Sequence, residues 1–216
     1  PGTLDDRDAA RAVTLAGGTA VGLWHNEANL QSVDAVIIPG GFSYGDYVMS
    51  GRLAQLETER FLGDALHKHH ANGGFLFGIC NGFQILTKLG ILPKASLIWN
   101  KSERFECMWD KLVKVSPTCP FTQYLPEEFE LPSAHAEGRL VCEPGDAQKY
   151  MDAGCVALQY ADNHNGSELR IAGLQDPTGR AMGLMPHPER FLRPQHHYDP
   201  DWSGDSESVS YTHLTL

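Results

Sequence analysis

Three short stretches of this 216-residue chain carry side chains that could do covalent chemistry together. In L-F-G-I-C-N-G-F-Q-I-L, residues 76–86, an apolar run ends in Gly78, Cys80 follows, and Gly82 opens a helical pattern. A cysteine on a sharp strand-to-helix turn between small residues is the pattern of a nucleophile elbow, in which the turn exposes the side chain and the crowded backbone demands small neighbours. At a helix N-terminus a thiolate gains from the dipole and from nearby N–H groups. On the pentapeptide alone, a small buried cysteine between packing glycines fits as well.

A thiol nucleophile needs a base, and the base needs a group to orient it. In Met185-Pro186-His187-Pro188-Glu189 the prolines bias the backbone toward extended conformations, so His187 and Glu189 project to one side. Cys80, His187 and Glu189 are therefore the candidate catalytic set. The third stretch, V-I-I-P-G-G-F-S-Y-G-D at 36–46, reads as a strand ending in Pro39-Gly40-Gly41. Backbone N–H groups there and at Asn81 could form an oxyanion hole. The loop fits neither G-x-x-x-x-G-K-[S/T] nor G-x-G-x-x-G, which argues against nucleotide binding.

The elements around these motifs suggest how they are placed. D-D-R-D-A-A-R-A-V-T-L-A-G has the acidic start and glycine stop of a short helix. G-T-A-V-G-L-W and V-D-A-V-I-I read as strands, the segment from Gly51 to Gly74 as a helix, and G-F-L-F-G-I-C as a buried strand of a parallel sheet. Strands alternating with helices imply a doubly wound α/β domain with a mostly parallel sheet. Ligands of such sheets bind at the carboxyl ends of the strands, where Cys80 stands. The second half, R-F-E-C-M-W-D-K-L-V-K-V-S, G-R-L-V-C-E, C-V-A-L-Q-Y-A-D and I-A-G-L-Q-D-P-T-G-R-A-M-G-L-M, reads as strands that extend the same sheet in antiparallel fashion.

Composition narrows the function. A net charge of −10 leaves no basic face for nucleic acid. No apolar run approaches the roughly 20 residues that span a bilayer, and the opening has no signal-peptide pattern. Five scattered cysteines without C-x-x-C suggest neither disulfides nor zinc, and a reduced, cytoplasmic setting fits them. With 42% hydrophobic residues the chain can bury one substantial core. His67, His69 and His70 fall on different faces at the end of a helix, which argues against a metal cluster, and His196 and His197 are expected to face solvent.

P-G-G-F-S-Y-G-D, G-I-C-N-G-F-Q-I-L and M-P-H-P-E-R together resemble the triad (class I) glutamine amidotransferases. Within that family the resemblance is to the glutaminase subunits of phosphoribosylformylglycinamidine (FGAM) synthase, enzymes of purine biosynthesis, and runs from about Pro1 to about Arg190. It implies a flavodoxin-like class I amidotransferase fold and hydrolysis of glutamine through a cysteine thioester. The ammonia would pass to a synthetase subunit, which holds ATP and magnesium, so this chain itself carries no cofactor or metal; a small bridging subunit is a further expected partner. Carried over residue by residue, the likeness makes Cys80, His187 and Glu189 the triad and Gly41 and Asn81 the oxyanion donors. Glutamine would meet Gly40, Phe42, Ser43, Gln84, Asn100 and Ser102, with His135 in S-A-H-A-E-G-R bordering the site.

Compared with the family pattern, a central strand before Pro1-Gly2-Thr3 is missing and S-V-S-Y-T-H-L-T-L does not resemble the closing helix. The expected organisation is an N-terminally truncated amidotransferase domain over 1–192 and an irregular tail over 193–216. Another Cys-His-Glu hydrolase of the same architecture and an inactive docking module are the competing readings.

Overall fold

A computed structural model describes residues 2–46 and 48–202. Strands run β1 Ala35–Ile38, β2 Phe75–Ile79, β3 Ser96–Ile98, β4 Glu106–Lys114, β5 Glu128–His135, β6 Arg139–Val141, β7 Val156–Tyr160, β8 Ile171–Gln175 and β9 Ala181–Leu184. Helices are α1 Asp6–Leu15, α2 Arg52–Thr58, α3 Asp64–Ala71, α4 Asn81–Lys88 and α5 Asp146–Asp152. A π-helical turn at Glu59–Gly63 joins α2 to α3, so the predicted long helix is continuous but rewound at its middle.

Seven strands form one mixed sheet in the order β1-β2-β9-β8-β7-β4-β5. Its parallel part is β1, β2 and β9; the pairings from β9 through β8, β7 and β4 to β5 are antiparallel, the extension expected from the second half of the sequence. The parallel strands read as unbroken apolar runs because both faces are covered, and β8 and β9 are buried at every position. Leu76, Phe77, Ile79, Phe83, Ile85 and Leu86 pack β2 and α4 into the centre of the core.

Three expectations are corrected. The G-T-A-V-G-L-W segment is not a strand, because β1 pairs on one side with β2 and presents no described neighbour on the other for residues 19–24 to join. The G-R-L-V-C-E strand does not extend the large sheet; β6 pairs with β3 in a separate two-stranded sheet, Leu97 opposite Leu140. His197 is buried rather than solvent-facing: its ring lies 4.6 Å from that of Trp109 and 4.9 Å from that of Trp202, and Nε2 is 2.9 Å from a Glu130 carboxylate oxygen. The first part of the tail is thus irregular in backbone yet packed on the domain, while residues 203–216 lie outside the described chain.

Two glycines let α4 dock where it does. A Cβ on Gly82 would lie 1.9 Å from the Ile38 carbonyl oxygen, and one on Gly78 would lie 2.6 Å from the Gly82 carbonyl oxygen. Both obstacles are backbone, so nothing flexible can yield. Gly82→Ala is expected to push α4 off β1 and lower stability by about 1–3 kcal/mol or more, read as a lower urea midpoint at unchanged m-value.

Candidate active site

β2 delivers Cys80 at its carboxyl end, and α4 begins at the next residue. Cys80 has φ 50° and ψ −105°, a conformation that costs a non-glycine residue on the order of 1–3 kcal/mol. Its N–H donates to the Leu184 carbonyl at 2.7 Å, tying the elbow to β9 and removing that N–H from any role toward a ligand. The side chain opens into a cavity of about 370 Å³.

β9 runs parallel to β2, so its end brings Met185-Pro186-His187-Pro188-Glu189 to the same edge of the sheet. The His187 N–H donates to the Pro132 carbonyl of β5 at 2.8 Å, fixing the backbone on which the imidazole hangs. His187 Nδ1 lies 2.6 Å from Glu189 Oε1, with both residues buried. A carboxylate accepts only, so Nδ1 carries the proton and Nε2 is directed to Cys80. Nε2 is buried without an acceptor of ordinary hydrogen-bond geometry. Burial opposes the charged imidazole, but the charges of Glu189 and Cys80, with their hydrogen bonds, overcome it and raise the pKa to about 10.

A second carboxylate supports the pair. Asp5 Oδ2 stands 3.7 Å from His187 Nδ1, and both Asp5 oxygens accept from Arg190 Nη2, at 2.9 and 2.8 Å. Asp5, His187 and Glu189 offer ligand atoms within 4.8 Å of one another, the geometry of a metal cluster. Here the guanidinium occupies Asp5 and the imidazole occupies Glu189, so an ion would have to displace both. Gly40 belongs to this layer: a Cβ there would lie 2.7 Å from both Asp5 Oδ2 and the His187 ring.

Of the predicted oxyanion and glutamine residues, Gly41, Phe42, Asn81, Gln84 and His135 line the cavity with Cys80 and His187. Gly41 holds φ 128° against Leu4, whose N would be 2.5 Å from any Cβ. Gly40, Ser43, Asn100 and Ser102 are not in the lining. Ser43 is buried. Asn100 is buried and fully engaged: Nδ2 donates to the His135 and Arg104 carbonyls, and Oδ1 accepts from Gly138 N at 3.1 Å and faces His135 Nδ1 at 3.1 Å. Ser102 is exposed and donates to Glu106 Oε1 at 2.6 Å. Gln84 is similarly engaged, accepting from Asn81 Nδ2 and donating to the Glu137 carbonyl, both at 2.8 Å.

Because Asn100 Oδ1 is an acceptor, His135 donates from Nδ1 and its buried Nε2 keeps a lone pair. Burial dominates over the nearby carboxylates and lowers the His135 pKa to about 4, so this ring is neutral where His187 is charged.

Residues 1–212 match the CobB/CobQ-like glutamine amidotransferase domain. The chain belongs to the glutamine amidotransferases. Phosphoribosylformylglycinamidine synthase subunit PurQ of Rhodococcus jostii is 46% identical over 193 residues, 88% of this chain and 84% of that protein. The protein of the same name from Corynebacterium efficiens is 44% identical over 194 residues, 89% of this chain and 85% of that one. Among solved structures, PurLQS from Thermotoga maritima superposes with a TM-score of 0.83 at 32% identity, covering 99% of this chain and 93% of that one. The glutaminase domain of Trypanosoma brucei CTPS, 12% identical with a TM-score of 0.59, shares the fold over 97% of this chain and 82% of that domain.

Several residues of this amidotransferase site escaped the sequence reading. Glu137, Trp99, Phe105, Cys107 and Arg190 line the cavity, and Asp5 stands behind His187. Arg190 directly follows Glu189 and was within reach of a motif reading; Asp5 comes from the other end of the chain and was not.

The raised His187 pKa has a definite sign. The charged imidazole contributes stability that is complete below the ordinary histidine pKa and is lost as pH rises through about 10. Glu189→Gln removes the leading charge that raises it, so the midpoint of the His187 Cε1 proton resonance should fall by about 1–3 pH units. An unmoved midpoint would show that Glu189 does not set the charge of the imidazole.

Proposed function

We propose that this chain is the glutaminase subunit of an FGAM synthase, supplying ammonia for purine biosynthesis in the cytoplasm. The observation that carries this reading is the convergence of a strained elbow cysteine and a charged His187 on one cavity, with buried Glu189 behind the imidazole. Cys80 attacks the side-chain amide carbon of glutamine, and the oxyanion that forms is held by backbone N–H groups of Gly41 and Asn81. His187 gives a proton to the departing ammonia, leaving a glutamyl thioester. The neutralised imidazole then takes a proton from water, whose oxygen attacks the thioester; glutamate leaves and the thiol is restored. Glu189 keeps Nδ1 protonated throughout, so the exchanging proton is always at Nε2.

The ammonia goes to a synthetase subunit that uses ATP and magnesium to convert formylglycinamide ribonucleotide into the amidine, with a small bridging subunit completing the assembly. The absence of a phosphate-binding glycine loop here supports placing ATP on that partner. An apolar rim at the cavity mouth, with Phe42, Trp99 and Phe105 each about half exposed, supports a partner that covers it.

Labelling with a diazo-ketone analogue of glutamine tests the reading. Mass mapping should find the label on Cys80, with glutamine blocking it; a folded sample that takes no label, or takes it on another cysteine, refutes the site. In the assembled synthase, Cys80→Ala should lower glutamine-dependent synthesis by roughly 10⁴-fold or more while synthesis from added ammonia persists.

A further inference from the structure

The loop after β7, Asn163-His164-Asn165-Gly166-Ser167, lines no part of the cavity, yet it bonds to both chain segments beside the cavity mouth. One segment carries the lining residues Trp99, Phe105 and Cys107, and the other runs from Ala134 to Glu137. The Lys101 N–H donates to the Asn165 carbonyl at 2.9 Å, and Asn165 Nδ2 donates to the Gly138 carbonyl at 3.1 Å. Gly166 packs so closely on the first segment that a Cβ there would lie 2.9 Å from Lys101 Cβ. Ser167 Oγ accepts from the Leu140 N–H at 3.0 Å, beyond the end of the second.

His164 supplies the charged part of this clasp. Its Nδ1 lies 2.6 Å from Glu106 Oε2 and its Nε2 lies 2.6 Å from Asp110 Oδ1. Glu106 stands between Phe105 and Cys107, and its other oxygen accepts from Ser102 Oγ at 2.6 Å. The second Asp110 oxygen accepts from Ser133 Oγ on β5. Ionised carboxylates only accept, so an imidazole that meets one at each nitrogen donates from both and is charged. Hydrogen bonding to Asp110, with the bond to Glu106 and the charges of both carboxylates, outweighs burial and raises its pKa. Glu106 and Asp110 of β4 are the charged groups that face it; Tyr160 of β7 presents its ring at 5.5 Å, and His135 of β5 is neutral.

We propose that His164 is a protonation-dependent latch on the wall of the cavity mouth. Charged, it bridges Glu106 and Asp110 and holds residues 99–107 against the Asn165 loop. With one proton fewer, only one ring nitrogen can donate, and the other turns a lone pair toward a carboxylate oxygen, which is repulsive at 2.6 Å. The imidazole then gives up one carboxylate, the neighbouring bond from Lys101 to Asn165 weakens, and the wall that carries Trp99 and Phe105 loosens. The latch is closed below the His164 midpoint and released above it. His164 is thus a positioning residue for the cavity, and the inference goes beyond glutamine cleavage without depending on it.

The test follows two signals of the full chain across a pH series: the His164 Cε1 proton resonance and the hydrogen-exchange protection factor of the Lys101 amide. In the unsubstituted chain, protection should fall by about 10-fold as pH rises through the His164 midpoint, the loss of roughly one hydrogen bond. In Glu106→Gln the midpoint should move down by about 1–3 pH units, and the fall in protection should move with it. In His164→Asn, which can bond one carboxylate but carries no charge, protection should be low throughout and show no step. Protection that does not change at the His164 midpoint, or that keeps its step in His164→Asn, would overturn the latch. So would a step that stays in place in Glu106→Gln while the midpoint moves.

Discussion

The turn at Cys80 is the constraint on which the rest of the site depends. A strand running into a helix with one intervening residue at φ 50° leaves no room for side chains on its inner surface, and Gly78 and Gly82 supply that room. The close approach of α4 to β1 that Gly82 permits also sets where the Gly40-Gly41 loop ends, because that loop leaves the same strand two residues later. The cost of the strained backbone is met by the buried contacts of β2 and α4 and by the Cys80 N–H bond to β9. Cys80, the Gly40-Gly41 loop and His187 are thus positioned by one parallel three-strand unit, β1-β2-β9, and not by independent loops.

Charge inside the site is arranged in two opposed ways. His187 is almost wholly buried, which alone would keep it neutral, yet Glu189 and Cys80 surround it with enough negative character to hold a proton. His135 is nearly as deeply buried, and its bonded partner at Nδ1 is the neutral Asn100, so desolvation prevails. A third histidine, His164, lies 2.6 Å from both Glu106 and Asp110, and bonding to Asp110 is the largest cause of its raised pKa. The three differ chiefly in what their ring nitrogens meet: a carboxylate and a thiol, an amide, or two carboxylates.

Much of this was legible in the sequence because the decisive information is local. The elbow needs glycine, cysteine and glycine at fixed short spacing, and the His-Glu pair is spaced by its own prolines. Fully apolar runs marked β2 and β9 correctly. β5 went unread because E-F-E-L-P-S-A-H contains Pro132, which fits this outer strand with its partner on one side; its carbonyl remains available and takes the His187 N–H. The burial of His197 was equally hidden, since its aromatic surroundings, Trp109, Phe191 and Trp202, combine a distant strand with residues on either side of it. No periodicity reports such a cluster.

Gln84 and Asn100 hold the frame around the cavity. A polar residue in a conserved-looking motif can contact a ligand or hold the chain that does, and its letter is the same in both cases. Asn100 engages both its amide nitrogen and its oxygen within the protein, and Gln84 spans from Asn81 to the Glu137 carbonyl. Amides bonded in this way make the segment around the cavity rigid, since each bond broken would leave a buried group unpaired. A buried polar atom left without a partner in the same neighbourhood is Nε2 of His135, which lines the cavity, and a rigid frame is what holds that lone pair at a fixed point.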